Sequence, residues 1–189
     1  LEADRQSIVA IGAAVTVVPL DLTPHEGAGR SCGQGCRPRG PRCRSMSYSV
    51  DVNVLLYASD RSSDRHHAAR RFLDSCATRP EVLCLTWSTL MSYLRIATHS
   101  RIFAVPLAPE EALGNITSLL SLPHVRAVSE LDGLIDAYRH VTGETPMRGN
   151  LVPDAHVAAV LFQHGGRTLY TSDRDFRRFE SLEVRDPFS

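Results

Sequence analysis

Four aspartates stand where carboxylates from distant parts of the chain could act together. Asp51 ends a short apolar stretch, Asp154 follows Pro153 at the start of another, and Asp173 and Asp175 follow a third. Carboxylates that converge without partners repel one another, and a hard divalent cation such as Mg²⁺ or Mn²⁺ relieves that repulsion through oxygen ligands. A cation bound in this way lowers the pKa of a coordinated water and neutralises charge on a phosphate. These residues therefore predict metal-assisted chemistry on a phosphate group.

Two of the aspartates, Asp154 and Asp173, have a simpler explanation when each is taken alone. Asp154 would favour the dipole of a helix that begins beside it, and Asp173 would cap a short helix over 174–179. Asp51 is harder to explain in this way, because it stands among valines and leucines, where burying a carboxylate without a purpose is costly. The combination of the acids, more than any single one, indicates a site.

The elements that must position these aspartates alternate between strands and helices. Ser47–Asp51 alternates apolar and polar residues, which predicts a strand that ends at Asp51 and is followed by helix-forming Leu and Ala. Similar patterns predict further strands over Val82–Leu85, Val125–Val128, Thr168–Thr171 and about 182–184, and helices over about 64–77, 87–98, 109–120, 130–141 and 153–163. This alternation predicts an α/β fold whose central parallel sheet has four to five strands and is covered on both faces. The carboxyl ends of such strands meet at one edge, which would bring the aspartates together.

Capping residues set the predicted helix ends. Ser63 and Thr86 are expected N-caps, and Pro153 is expected at the first helical position of the segment that carries Asp154. The pair Gly165-Gly166 is expected to end that helix.

Composition limits the class of protein. The 189 residues are 43% hydrophobic, and none of their apolar runs reaches the roughly 18 residues that a membrane span needs. Cys76 and Cys84 stand in apolar surroundings, which predicts buried free thiols and a cytoplasmic location. Residues 1–45 are rich in Gly, Pro and Arg, so we interpret them as a non-native or disordered extension that precedes a domain over 46–189.

Four ordered stretches of the chain resemble one known family. Asp51–Ala58 comes first, followed by Tyr93–Thr98, Pro153–Ala159 and Thr171–Phe176. In this order they resemble the PIN-domain ribonucleases, and most of all the VapC toxins of VapBC toxin–antitoxin pairs. The resemblance covers about residues 47–187.

The resemblance implies a fold, an activity and partners. It implies a PIN-like α/β/α sandwich and a Mg²⁺- or Mn²⁺-dependent endoribonuclease toxin. It also implies a homodimer and neutralisation by a small VapB-like antitoxin. Asp51, Asp154 and Asp173 would be the metal-site carboxylates and Asp175 a nearby acid. Asn53 and Thr171 would support the site through hydrogen bonds.

The chain departs from the family pattern at Ser92, where many PIN domains carry a Glu. A hydroxyl compensates charge less well than a carboxylate, so we expect weaker metal binding and a larger role for Asp175. Arginine suits phosphate because its fork donates in pairs. The expected RNA contacts are Arg95, Arg101, Arg174 and Arg177, and Arg178 follows the same acidic loop. The substrate is expected to be the loop of a structured RNA such as tRNA or rRNA, whose unstacked bases are readable.

Competing interpretations remain at this point. Haloacid dehalogenase-type phosphatases and phospho-receiver domains also begin with a strand that ends in Asp. The phosphatases need a second Asp where this chain has Asn53, and both classes use a Lys, which the chain lacks. A degenerate PIN module that binds RNA or protein without cleavage is the non-enzymatic alternative, and Ser92 is its support. Tyr57, Trp87 and Tyr93 could stack a base, although Trp87 is expected in the core instead.

Overall fold

A five-stranded parallel sheet forms the centre of the protein. The computed structural model describes residues 47–103 and 105–189, so the interpretation of residues 1–45 lies outside the described residues. The strands are β1 (Ser47–Val50), β2 (Val82–Thr86), β3 (Val125–Val128), β4 (Thr168–Tyr170) and β5 (Glu183–Arg185). They are ordered β3-β2-β1-β4-β5, and every neighbouring pair is parallel. The predicted parallel sheet is confirmed.

Helices cover both faces of this sheet. They are α1 (Val52–Ser59), α2 (His66–Thr78), α3 (Trp87–Ala97), α4 (Pro109–Leu120), α5 (Leu134–Thr142) and α6 (Leu151–Gln163). Helices α1–α4 share one hydrophobic core with one side of the sheet, while α5 and α6 share a second core with the other side. Strand β2 shows the division, because Leu83 and Leu85 belong to the first core and Cys84 to the second. The protein is therefore the expected α/β/α sandwich.

The strand order places a crevice beside β1. The chain moves outward from β1 through β2 to β3, and then returns to the other side of β1 to form β4. In open α/β sheets such a reversal opens a ligand-binding crevice at the carboxyl ends of the strands. Val50 is paired with Tyr170, and the backbone N–H of Asp51 donates to the Tyr170 carbonyl at 3.0 Å. The ends of β1 and β4 are thus joined at the crevice.

Helix α5 begins later than the sequence indicates. It was expected from residue 130, but it begins at Leu134, after Gly133 with a φ of 79°. The preceding loop is held by Gln163, whose side-chain amide accepts from the Leu131 N–H at 2.9 Å and donates to the Leu131 carbonyl at 3.0 Å. This side-chain clamp replaces the first helical turn, and the apolar periodicity does not reveal it.

Helix α6 begins earlier than expected. Its first residue is Leu151, so Pro153 occupies the third helical position and not the first. The position is tolerated because the first four N–H groups of a helix have no partner within it, so the missing proline N–H costs nothing. Gly165 follows the helix with a φ of 73°, as expected of a helix-ending glycine.

Other ends differ by a residue or two. Helix α2 begins at His66, because Ser63 accepts from the Arg65 N–H at 3.2 Å in a turn before the helix and does not cap it directly. Thr86 is confirmed as the N-cap of α3. Strand β4 ends at Tyr170, one residue before the expected end, and β5 is shifted by one residue to Glu183–Arg185.

Burial confirms one sequence expectation and corrects another. Cys76 and Cys84 are buried free thiols, as predicted. Trp87 is 44% exposed and does not lie in the core, whereas Tyr93 is buried and cannot stack a base. None of the helices in the described residues is long and apolar enough to span a membrane.

Candidate active site

Asp51 lies at the carboxyl end of β1 and is only 7% exposed. Its Oδ2 atom accepts two hydrogen bonds, one from the Thr171 hydroxyl at 2.7 Å and one from the Asn53 amide nitrogen at 3.0 Å. Burial raises the pKa of the Asp51 carboxyl, and the nearby Asp173 adds to the rise. The bonds from Thr171, from the Val52 backbone and from Asn53 act in the opposite direction, because they favour the carboxylate.

Thr171 connects the two sides of the crevice. Its hydroxyl is buried, donates to Asp51 and accepts from the Asp173 N–H at 2.9 Å. Asp173 in turn accepts from the Asp175 N–H at 2.8 Å and caps a 3₁₀ turn over Arg174–Arg178. The expected capping by Asp173 is therefore present. A continuous chain of hydrogen bonds runs from Asp51 to Asp175.

Asp154 approaches the same edge from the first turn of α6. Burial raises the pKa of its carboxyl to about 6, and repulsion adds to the rise. The repelling groups are Asp173, Asp51 and Asp175. The carboxylates of Asp51, Asp173 and Asp175 therefore all lie close enough to Asp154 to raise its pKa, although the four residues come from three separate parts of the chain. This is the convergence that the sequence predicts.

Arg178 partly compensates the negative charge. One of its terminal nitrogens lies 2.6 Å from Asp175 Oδ1, and its Nε donates to the Asp175 carbonyl at 2.9 Å. Its charge lowers the pKa of Asp154 against the effects that raise it. Sequence reasoning did not distinguish Arg178 from its neighbours. The signal was its spacing of three residues from Asp175, since such residues are eclipsed in a 3₁₀ turn.

The carboxylates do not form a ready-made metal cage. Within residues 47–103 and 105–189, no group of three His, Cys, Asp or Glu side chains is close enough to hold an ion by itself. Mg²⁺ dehydrates reluctantly and commonly binds through one or two carboxylates, several waters and substrate phosphates. A spread set of oxygen ligands around Asp51 and Asp154 fits that mode of binding, and it does not fit a closed zinc site.

The remaining predicted residues occupy the surroundings of this edge. Ser92 is a partly buried residue of α3, and its side chain makes no hydrogen bond with any described residue. Thr86, at the end of β2, contacts the hydroxyls of Ser88 at 2.8 Å and Thr89 at 2.9 Å. This hydroxyl cluster lies at the end of the strand next to β1, and the sequence indicates only its capping role.

The four arginines expected to contact RNA fall into two groups. Arg174 and Arg177 project from the 3₁₀ turn beside the acids, and both are exposed. Arg95 lies near the end of α3, one turn after the position of Ser92, and Arg101 follows that helix. None of these four side chains forms a hydrogen bond or ion pair with another described residue, so their donors face solvent. The structure places Arg174 and Arg177 at the acidic edge. Arg95 and Arg101 make no contact with that edge among the described residues.

Comparison with known proteins agrees with this architecture. The family model of the PIN domain matches residues 48–182. Ribonuclease VapC48 of Mycobacterium tuberculosis is 44% identical over 144 residues, which cover 76% of this chain and 99% of that protein. Ribonuclease VapC43 of the same organism is 33% identical over 138 residues, which cover 73% of this chain and 93% of that protein.

Solved structures show the same fold. The crystal structure of VapC20 from Mycobacterium tuberculosis, described as a Sarcin-Ricin loop cleaving toxin, has a TM-score of 0.54 and 22% identity, covering 73% of this chain and 98% of that chain. VapBC2 from Rickettsia felis, bound to a promoter DNA fragment, has a TM-score of 0.55 and 17% identity over 75% of this chain and 98% of that chain. On its domain match and its sequence identity, the chain belongs to the PIN-domain family and, within it, to the VapC ribonucleases.

Proposed function

We propose that this protein is a Mg²⁺-dependent endoribonuclease toxin, with Mn²⁺ able to replace Mg²⁺. The observation that supports this most directly is the buried Asp51 carboxylate at the crevice, with Asp154, Asp173 and Asp175 at the same edge. Asp51, Asp154 and Asp173 would hold the cation together with waters and a substrate phosphate, because these carboxylates do not enclose an ion by themselves. The bound cation would activate a water and neutralise phosphate charge. PIN-domain ribonucleases are in general dependent on divalent metals, which agrees with this assignment.

The surrounding residues keep the carboxylates in place. Thr171 and Asn53 both donate to one oxygen of Asp51, which fixes the plane of the carboxylate and favours its charged form. Thr171 also accepts from the Asp173 backbone, so the two acids are held in one arrangement before any substrate binds. Such preorganisation reduces the cost of assembling a charged site during the reaction.

Mapping of RNA ends tests this function. Brief expression of the full chain should generate new RNA ends at defined positions in cells, and the Asp51→Asn form should generate none. Asp132→Asn is a suitable control, because Asp132 is an exposed acid in the loop before α5. New ends that also appear with Asp51→Asn, at full yield and with the variant folded, would contradict the metal-site assignment.

We propose a structured RNA as the substrate, cut in an exposed loop of tRNA or rRNA. Arg174 and Arg177 project beside the acids with donors free for phosphate. The formal net charge of the chain is zero, so a general basic field does not attract RNA strongly. Selectivity would then depend on loop shape and local contacts. Cleavage of an isolated stem-loop should exceed cleavage of its fully paired counterpart, and equal cleavage of both would refute loop recognition.

We also propose that a small VapB-like antitoxin from an adjacent gene neutralises this protein in the cytoplasm, and that the protein forms a homodimer. Several structures with this fold were solved as VapBC complexes, which supports such a partner. An antitoxin arginine placed against Asp51 would substitute for the charge of the cation. The proposal fails if the neighbouring gene product neither co-purifies with the chain nor blocks its activity.

A degenerate module that binds RNA without cleavage is the second candidate, and Ser92 is the observation that favours it. The partly buried hydroxyl stands where the family commonly has a carboxylate. Metal titration separates the two candidates, because the degenerate module would show no Mg²⁺-dependent cleavage at any concentration. The phosphatase and receiver interpretations lose their support, since the chain belongs to the PIN-domain family.

A further inference from the structure

A cavity separate from the acidic edge lies on the face of the sheet that α5 and α6 cover. It measures about 590 Å³, within the range of roughly 300–1,000 Å³ that holds small ligands. The carboxyl ends of α5 and α6 form two of its walls, and the segment after the 3₁₀ turn forms the third. The residues that matter for its chemistry are His140, Glu144, Phe162, Arg167, Arg178 and Glu180.

Two glycine turns shape this cavity. Helix α5 is followed by Gly143 with a φ of 53°, and α6 is followed by Gly165 with a φ of 73°. Both angles lie in the left-handed region, which residues with a Cβ adopt at a cost. The turns direct the chain away from both helix ends, and the side chains of the last helical turns face the space that remains.

An aromatic pair forms a flat surface at the cavity. The rings of His140 and Phe162 lie 4.5 Å apart between centroids and are tilted by only 31°. Phe162 is 40% exposed, although a phenylalanine is more stable when buried. Exposed flat rings beside arginines are the features with which proteins stack unpaired RNA bases. The pair therefore offers a base a ring face to stack on.

Charged groups around the pair suit a nucleotide. The Arg167 guanidinium makes no hydrogen bond or ion pair with any residue that the structure describes, so its donors are available. The carboxylates of Glu144 and Glu180 also line the cavity. They repel a phosphate at their own positions, but a carboxylate accepts hydrogen bonds from the amino group of a base. Phosphate is therefore favoured beside the arginines and a base edge beside the acids.

Arg178 connects this cavity to the acidic edge. It lines the cavity, and it is also bonded to Asp175 and close enough to Asp154 to lower the pKa of that carboxyl. Asp154 and Phe162 lie at opposite ends of α6, about 12 Å apart along the helix at 1.5 Å per residue, and a single strand of a few nucleotides spans that distance. The two places can therefore contact one RNA strand.

We propose that this cavity is a subsite for one unpaired RNA base, stacked on Phe162, with Arg167 and Arg178 contacting the neighbouring phosphates. The proposal rests on the proposed function, because it names a second contact of the same RNA substrate. It adds a base-reading element that lies apart from the carboxylates and would explain a preference for loops over paired RNA.

Binding of a fluorescent RNA tests the stacking contact. The full chain carrying Asp51→Asn is titrated with a short unpaired RNA that has 2-aminopurine in place of each adenine, and the fluorescence quench and affinity are measured. Adding Phe162→Leu should weaken binding about 5- to 100-fold and remove the quench, since stacking contributes at that scale. Phe162→Trp should keep both. Equal affinity and quench in the Leu and Trp variants would overturn the stacking contact.

A charge variant tests the phosphate contact independently. Arg167→Gln should reduce the slope of log affinity against log salt by about 0.7, as expected for one single-strand phosphate contact. Arg71→Gln is the matched control, because Arg71 is exposed on α2 and lies on the opposite face of the sheet. An unchanged slope for Arg167→Gln would overturn this contact. If free AMP displaced the RNA at concentrations equal to that of the RNA, the cavity would be a site for a free nucleotide instead of an RNA base, which would overturn the proposal.

Failure of the subsite and failure of the proposed function give different results. If the protein does not cleave RNA with Mg²⁺, the Asp51→Asn background still reports whether Phe162 and Arg167 bind RNA. If it cleaves but Phe162→Leu binds and cleaves like the parent, the subsite alone is wrong. We expect Phe162→Leu to reduce cleavage of the stem-loop by the same factor as it reduces binding. We expect Phe162→Trp to cleave and bind like the parent.

Discussion

The carboxyl of Asp154 should make the metal-free protein less stable as pH rises. Its pKa is raised from 3.8 to about 6, first by burial and then by repulsion from the other acids. Because the folded protein binds this proton more tightly than the unfolded chain does, the free energy of unfolding falls as pH rises from about 4 to about 6.5. Below pH 3.8 the Asp154 carboxyl is protonated in both the folded and the unfolded protein, and the cost of burying its charge disappears. Asp154→Asn removes the charge, so the free energy of unfolding of the variant should not fall over this pH range for this reason.

The size of the effect follows from the same values. The difference between 3.8 and about 6 corresponds to about 3 kcal/mol at 1.36 kcal/mol per pKa unit. Asp154 is only partly buried, so solvent screening reduces this to about 1–2 kcal/mol. The variant also loses a favourable interaction with the α6 dipole, worth about 0.5 kcal/mol. We therefore expect Asp154→Asn to be about 1 kcal/mol more stable than the parent near neutral pH.

Urea unfolding in the presence of a chelator measures this difference. The two proteins should be equally stable near pH 4, where Asp154 is neutral in the folded protein, and should diverge by about 1 kcal/mol near pH 7.5. Adding Mg²⁺ should then stabilise the parent more than the variant, because the variant lacks one ligand. Asp132→Asn serves as the control, since Asp132 is exposed and apart from the cluster. A difference in stability that does not change between the two pH values would refute the reasoning.

Three further substitutions probe the same site. Asp51→Asn should abolish Mg²⁺-dependent cleavage because it removes a carboxylate ligand of the cation. The variant should still fold, because its one carboxamide oxygen can accept both bonds that Asp51 Oδ2 accepts now. Full activity would show that Asp51 binds no metal. Thr171→Val should lower the free energy of unfolding by about 1–3 kcal/mol, since it removes one of the two bonds to Asp51 Oδ2 and leaves the Asp173 N–H without its partner, whereas Thr168→Val on β4 should be nearly neutral in the same urea titration. Ser92→Glu should lower the Mg²⁺ concentration that gives half-maximal cleavage, and an unchanged metal dependence would mean that residue 92 points away from the site.

The sequence was sufficient to predict that the four aspartates share one edge of the sheet, because the signals for their positions are local. Each aspartate follows or precedes an apolar stretch whose periodicity is readable, and parallel strands must place their carboxyl ends at one edge. The predicted support by Thr171 and Asn53 came from the family resemblance and not from the residues alone. The observed bonds to Asp51 agree with that expectation.

Contacts between residues far apart in sequence were not readable. The late start of α5 depends on Gln163, which is about 30 residues away, and the exposure of Trp87 depends on which helix faces the neighbouring layers leave uncovered. The stacked pair of His140 and Phe162 joins two helix ends that only the packing of α5 on α6 brings together. Periodicity reports which face of an element is apolar, but it does not report what covers that face.

The sequence by itself therefore determined the fold class, the family and the identity of the four acids, because these depend on residue types and their order along the chain. The tertiary structure decided how the acids affect one another. The raised pKa of Asp154, the compensation by Arg178 and the cavity beside Phe162 depend on distances across the crevice and between helices. Electrostatic energy and stacking vary with distance and burial, and these quantities exist only once the chain is folded.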